Sequence, residues 1–437
     1  MSRHIALVTY NFPPLVGVGS MRVHMLAKGL AHAGYCVSVI TVLDPPGGEV
    51  DERSLSELEG LINIHRAQTK EPMYYVHKLR HALGSKQTQE EVLPKQSLPR
   101  SQRLKVPSQL KRLVQSFYVP DEKISWAYEA YKLGCYLHKE DSFDLVISSG
   151  PPHSAHVCAM RLAKTINTPY LLDLRDPWYS NTLHNSKGAN KKQLELEQEA
   201  FSEARALVSL TPGLLEDVSS RYPEFKDKLF FIPNAAQDNK RAYEKDSSRL
   251  NICYTGNLQG TQNLDRIYKA LEAIDEEGKF DLSELHFIVV GNIEESFKPH
   301  SDALKSLFSF VGPKSADEVR AYQAKSDALL YIHGLEKQYQ LVLGAKFAEY
   351  LRASRPIVGL CQKGSDAARE LKRLGQNYLA QPYSVPEIKF LLEHIIKNQD
   401  ELRNFSYTLK QGRYITSKYS EQAFIKSYVQ LIEALMR

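Results

Sequence analysis

The chain has 437 residues, of which 43% are hydrophobic and 24% charged, with a formal net charge of +5. This length exceeds one ordinary core and fits two domains of about 200 residues each, and the composition excludes disordered and fibrous classes. Cys36, Cys135, Cys158, Cys253 and Cys361 form no C-x-x-C pair and have no histidine cluster beside them, which predicts reduced core thiols, no metal and no disulfide framework.

The opening predicts a βαβ unit. His4 to Thr9 reads as a strand, NFPPLVGVGS as a loop, and Val23, Leu26, Ala27, Leu30 and Ala31 as the apolar stripe of a helix that Ser20 caps and Gly34 ends. Val37 to Val42 is the next strand, and so the sheet is expected to be parallel. The N-terminal apolar stretch is shorter than a signal-peptide core, and no run reaches the ~18 apolar residues of a membrane span, so a cytoplasmic location is expected.

Lys78 to Arg112 carries nine Lys or Arg against two Glu, and this segment holds the basic character of the chain. It reads either as a solvated loop or, with Leu110, Leu113, Phe117 and Tyr118 beside it, as a surface for anionic lipid headgroups. Beyond it the alternation returns: Phe143 to Ser148 a strand, Ser154 to Thr165 a helix, and Tyr170 to Leu174, Ala206 to Leu210 and Leu229 to Ile232 strands. A polar stretch, Gln237 to Arg249, precedes a second series of strands at Asn251 to Thr255, His286 to Val290, Phe308 to Val311, Ala328 to Ile332 and Ile357 to Leu360. The expected organisation is a doubly wound domain over 1–235 with a basic insertion at about 70–115, a second over 236–400, and closing helices over 401–437 that pack back toward the first.

Several strand ends carry candidate chemistry. Gly17 and Gly19 precede a helix N-terminus, where free N–H groups favour an anion. Asp44 ends the second strand where a ribose-binding acid would lie, but Arg22 replaces the third glycine of a dinucleotide fingerprint, which argues against a nicotinamide site. His153 and His156 in SSGPPHSAH follow a strand, as does Asp176 in DLRDPW; each reads as a capping, salt-bridging or surface residue or as an acceptor-side acid or base. Gly256, Asn257, Gly291 and Gly312 mark strand ends of the second series, where Ser315 and Glu318 form a capping box. In GAKFAEYLRASRPIVGL, Lys346, Glu349, Tyr350 and Ala353 share a helix face. An ammonium and a carboxylate one turn apart suit a nucleotide diphosphate, Lys346 for the phosphates and Glu349 for ribose hydroxyls; an exposed ion pair is the plainer alternative.

In their order and spacing, NFPPLVGVGSMRVHMLAKGLAHAGYCVSVIT, SSGPPHSAH, PYLLDLRDPWYSN, FIPNA, YTGNLQGTQNLD and AKFAEYLRASRPIVGL make the chain resemble glycosyltransferases of family 4. These are retaining enzymes of the GT-B fold, an α/β fold of two Rossmann-like doubly wound domains facing a central cleft. The resemblance implies a nucleotide-diphosphate sugar, most simply a UDP-sugar, on the second domain. Glu349 would hold the ribose, and Lys346 would lie near the diphosphate with the helix N-terminus after Gly364 and Ser365. Gly17 and Gly19 would close on the sugar nucleotide, and His153 and Asp176 would face a glycan or polyprenyl-linked acceptor. It implies no metal cofactor and a role in bacterial surface polysaccharide synthesis. No nucleic acid partner is expected, and the charge of residues 78–112, which lie outside the resemblance, points separately to attachment at the inner face of the cytoplasmic membrane. The chain departs from the family pattern at Leu341, where many members have a second glutamate, and at Asn257 and Asn263, where many have Arg and Lys. These departures keep two alternatives open, a GT-B sugar-nucleotide epimerase and a catalytically degenerate sugar-nucleotide-binding subunit.

Overall fold

The computed structural model of the protein describes residues 2–15, 17–43, 50–69, 118–179, 191–236 and 249–437. The basic segment Lys78 to Arg112 and Asp44 lie outside the described residues. Two compact units make up the chain, one of residues 1–209 with 222–230, the other of 210–221 with 231–437.

The first unit runs β1 (His4–Val8), α1 (Val18–His32), β2 (Cys36–Val42), α2 (Glu52–Ser56), β3 (Asn63–Ala67), α3 (Ile124–Glu140), β4 (Leu145–Gly150), α4 (Ser154–Ile166), β5 (Tyr170–Leu174), α5 (Lys191–Glu203), β6 (Ala206–Ser209) and β7 (Leu229–Phe231). Its strand order is β3-β2-β1-β4-β5-β6-β7, with β1 parallel to both β2 and β4. The strands are uninterrupted apolar runs because helices cover both faces of a parallel sheet; β1 is buried along its whole length. Val23, Leu26, Ala27 and Leu30 of α1 are fully buried, as the stripe predicts. The start of α1 differs from the expected one: Gly17 is the N-cap residue without a side-chain cap, and Ser20 is buried inside the first turn. The glycine-bearing loop enters the helix three residues early, so the Ser20 hydroxyl stands past the orphan N–H groups it was expected to cap.

Between β6 and β7, α6 (Pro212–Arg221) clusters with the second unit instead of the first. Thr211 Oγ1 donates to the carbonyl of Leu341 at 2.7 Å, and Gly213 N donates to Asp366 Oδ2 at 2.7 Å. The sequence-based boundary at 235 misses this because α6 has an ordinary amphipathic pattern that does not show which sheet it covers.

The second unit continues with β8 (Leu250–Thr255), α7 (Asp265–Glu277), β9 (Leu285–Val290), α8 (Asp302–Lys305), β10 (Phe308–Gly312), α9 (Ala316–Lys325), β11 (Ala328–Ile332), α10 (Ala345–Arg352), β12 (Ile357–Leu360), α11 (Asp366–Arg373), β13 (Leu379–Ala380), α12 (Val385–Lys397), α13 (Gln399–Arg403), α14 (Leu409–Tyr419) and α15 (Glu421–Leu435). The order β10-β9-β8-β11-β12-β13 reverses direction between β8 and β11, and a crevice at such a reversal, beyond the carboxyl ends of the strands, is where this architecture takes ligands. The capping box of Ser315 and Glu318 forms on α9. Phe347, Tyr350 and Leu351 of α10 join Tyr331, Ile415 and Tyr419 in one core cluster. Burying each such side chain contributes about 1.5–3 kcal/mol, which seats α10 firmly on the sheet. Pro356 follows soon after the helix and cannot continue it.

Candidate functional site

The second unit gathers its candidate residues at the carboxyl ends of β8, β9 and β10. Gly256 N donates to Val290 O at 2.8 Å, and Gly291 N to Gly312 O at 3.0 Å, so the three glycines lie on adjacent strand ends. All three have positive φ, and a Cβ on Gly291 would collide with the Gly256 carbonyl. A Cβ on Gly256 would lie 2.8 Å from Lys346 Nζ, so glycine is what lets the ammonium settle against the backbone.

Lys346 reaches that point from the first turn of α10. Its Nζ donates to the Tyr254 hydroxyl at 3.0 Å and lies 4.3 Å from the ring centroid, a cation–π contact. Tyr254 is fully buried, and its hydroxyl donates to the carbonyl of Asn257 at 3.1 Å. Glu349, half-buried one turn along, accepts from Gln323 Nε2 at 3.4 Å, and the same nitrogen donates to Thr255 Oγ1 at 3.1 Å. Tyr350 and Ala353, expected on the face of Lys346 and Glu349, are buried instead, and Tyr350 OH accepts from Thr255 N at 2.9 Å. Tyr254 and Gln323 were not singled out from the sequence; both sit inside apolar or helical patterns that carry no chemical signal by themselves.

Asn257 is exposed and accepts from Asn292 N through its Oδ1 at 3.0 Å. Asn263 serves the start of α7, accepting from Asp265 N at 3.1 Å. Gly364, with φ 76, leads into Ser365, whose hydroxyl accepts from Ala368 N at 3.3 Å and caps α11. A cavity of about 230 Å³ in this unit is lined by Glu216, Asp366, Arg369, Glu370, Arg373 and Lys418, but its charges answer one another. Glu370 accepts from Tyr414, Lys418 and Tyr419, and Asp366 pairs with Arg369.

In the first unit, the carboxyl ends of β1, β4 and β5 carry the corresponding groups. Arg22 of α1 makes a forked pair with Asp173, Nε at 3.0 and 3.2 Å and Nη2 at 2.8 Å, and Ser149 Oγ adds a hydrogen bond at 2.7 Å. The residue that breaks the dinucleotide fingerprint is therefore anchored at the end of β5. Gly19 packs on the Arg175 guanidinium, where a Cβ would clash, and Arg175 Nη2 donates to the Pro151 carbonyl. Gly17 opens α1 with open space where a Cβ would point.

His153 is buried and stacks on Trp178, ring centroids 5.1 Å apart and planes within 2°. Asp121 ties its loop down: its carboxylate accepts from Ser154 N at 3.0 Å and Ser154 Oγ at 2.6 Å, with burial pushing its pKa up against those bonds. His156 is fully buried with Nδ1 2.8 Å from Ser148 Oγ, and desolvation lowers its pKa to about 3. Asp176 is half-buried just past β5.

Residues 19–235 match the model of the glycosyl transferase 4-like domain. The chain carries a glycosyltransferase domain. No curated protein sequence matches the chain. The fold is that of GT-B glycosyltransferases, as the sequence predicts. HepE of Anabaena, solved in complex with UDP, superposes with a TM-score of 0.64 at 11% identity, covering 99% of this chain and 100% of that one. Sucrose-phosphate synthase of Thermosynechococcus elongatus gives 0.66 at 12% identity and 99% of both chains. A glycosyltransferase of Rickettsia africae gives 0.64 at 12% identity, covering 100% of this chain and 99% of that one. At these identities the likeness concerns the fold. The glycosyltransferase domain covers the Arg22–Asp173 and His153–Trp178 contacts and ends before β8, so the Lys346 cluster lies beyond it.

Proposed function

We propose that the chain is a retaining glycosyltransferase that moves a sugar from a nucleotide-diphosphate donor, a UDP-sugar, to a glycan or polyprenyl-linked acceptor in bacterial surface polysaccharide synthesis. The observation that carries this reading is the ammonium of Lys346, held by Tyr254 against Gly256 and one helical turn from Glu349. HepE is described in complex with UDP and with UDP-glucose, which supports the choice of nucleotide.

In this reading Lys346 offsets the negative charge that grows on the diphosphate as the anomeric C–O bond breaks, and such preorganised charge acts most strongly in the transition state. Glu349 accepts hydrogen bonds from the ribose hydroxyls. The strand-end backbone at Gly256, Gly291 and Gly312, together with the N-terminal end of α11 at Gly364 and Ser365, borders the nucleotide. Within the first unit, Gly17 and Gly19 lie at a helix N-terminus whose N–H groups favour an anion, and His153 and Asp176 orient the acceptor hydroxyl and take its proton. Its oxygen forms the new bond on the face the diphosphate leaves, so no protein nucleophile is required, and in this reading Lys346 and helix N-termini offset the diphosphate charge in place of a metal ion.

Thermal melting with UDP, GDP and ADP tests the nucleotide claim. A ligand at 100 times its Kd stabilises the native state by about 2.7 kcal/mol, so UDP should raise the Tm clearly; no shift with any of the three would contradict the proposal.

No helix among the described residues is long and apolar enough to cross a membrane. We propose peripheral attachment through the basic residues 78–112, which should make the protein co-sediment with anionic vesicles at low salt and release at high salt. Absence of co-sedimentation at low salt would refute it.

A further inference from the structure

His333 follows β11, a strand inside the second sheet between β8 and β12, and its backbone N donates to Leu360 O at 2.8 Å. It lies two positions after Tyr331, so both rings stand on one face of the sheet. Tyr331 fixes what that face meets: its ring lies 5.4 Å from that of Phe347, and its hydroxyl accepts from Gly344 N, the N-cap residue of α10, at 3.3 Å. The His333 ring, 5.2 Å from that of Tyr331 and 5.9 Å from that of Tyr339, therefore sits one pleat further out, toward the strand end, next to the tyrosine whose hydroxyl meets the N-cap of α10.

The ring is 2% exposed, and neither of its nitrogens has a hydrogen-bond partner among the described residues. Neighbouring polar groups are engaged elsewhere. Gln362 Nε2 donates to Gly334 O and Glu336 O at 2.9 Å, Glu336 Oε2 accepts from Thr261 Oγ1 at 2.6 Å, and Gln262 Nε2 donates to Ile332 O at 2.7 Å. A buried polar side chain left unpaired in an otherwise matched set calls for a ligand or a trapped water.

The order of groups along α10 says which part of the ligand. With the ribose at Glu349 and the diphosphate at Lys346, the next group in line lies toward Gly344, which bonds Tyr331, the ring neighbour of His333. We propose that His333 reads the transferred sugar, hydrogen-bonding one of its hydroxyl groups; this rests on the nucleotide-sugar reading above. Burial lowers the imidazole pKa to about 3, so the ring stays neutral, with one nitrogen a donor and the other an acceptor. A hydroxyl, which also donates and accepts, satisfies it better than a phosphate oxygen, which only accepts.

The test is calorimetric binding of UDP, UDP-glucose, UDP-galactose and UDP-N-acetylglucosamine to the wild type, His333→Phe and His333→Gln. The wild type should bind one UDP-hexose more tightly than UDP. In His333→Phe that advantage should shrink by about tenfold while the UDP Kd stays within about twofold, and His333→Gln, which keeps a hydrogen-bond donor and an acceptor, should recover part of it. An unchanged advantage, or UDP binding lost in step with the sugar nucleotide, overturns the role of His333 alone. No binding of UDP to the wild type overturns the nucleotide reading with it. Should His333→Phe fail to melt cooperatively, NMR of the histidine ring nitrogens in the wild type decides: the His333 signals should move with the UDP-hexose and not with UDP, and equal responses or none would overturn the proposal.

Discussion

The ammonium of Lys346 rests on Tyr254, 3.0 Å from its hydroxyl and 4.3 Å from its ring centroid. A flexible lysine is thereby fixed by a buried aromatic residue at the mouth of a parallel sheet, and the entropy of ordering its stem is met in the unliganded fold before any ligand arrives.

Tyr254→Phe keeps the cation–π face and removes the hydroxyl. It should cost about 1 kcal/mol in stability and lower sugar transfer several-fold, whereas Tyr254→Leu, which also removes the ring face, should lower it further. Steady-state kinetics on both variants check this ordering; equal turnover in Phe and Leu variants would remove the ring from the account.

Arg22 and Asp173 are both buried, and each compensates the charge of the other. Asp173→Asn should destabilise the protein by about 3–5 kcal/mol because it leaves the guanidinium uncompensated. Replacing both, Arg22→Met with Asp173→Leu, should recover much of that loss. Urea denaturation measures the cycle, and a single-variant loss under about 1 kcal/mol would show that the charge is relieved by other means.

The buried histidines make stability depend on pH. His156 and His333 have folded pKa values lowered to about 3, chiefly by desolvation, below the unfolded value of about 6.5. The unfolded chain binds their protons first, so this contribution is complete above about pH 6.5 and is lost as pH falls toward 3. Each ring should remove about 1.4 kcal/mol per pH unit in that window. His156→Asn should reduce the slope of stability against pH between about 6 and 4.5 by close to one proton; an unchanged slope would show that His156 is not protonated on unfolding.

The sheets were legible because buried parallel strands are short β-branched runs, as at VSVITV and HFIVV. The edge strand β3 was missed because NIHRA has one β-branched residue among three polar ones, with no clean alternation, and resembles a loop. Lys346 and Glu349 stood out through their i,i+3 spacing, whereas Tyr254, Gln323 and His333 did not. Each of these looks like an ordinary strand or helix residue until its neighbours are known: the lysine above Tyr254, the carboxylate beside Gln323, and the absence of any partner for His333 among the described residues. Asp121 was invisible for the same reason, since it caps α4 across 33 positions of sequence.

Turnover of purified Lys346→Ala is the most direct test of the central claim. Release of UDP from the tightest-binding UDP-sugar, followed at saturating acceptor, should fall by about 10²–10³-fold in kcat with a smaller change in KM, as expected when a charge felt mainly in the transition state is removed. A kcat equal to that of the wild type would contradict the account.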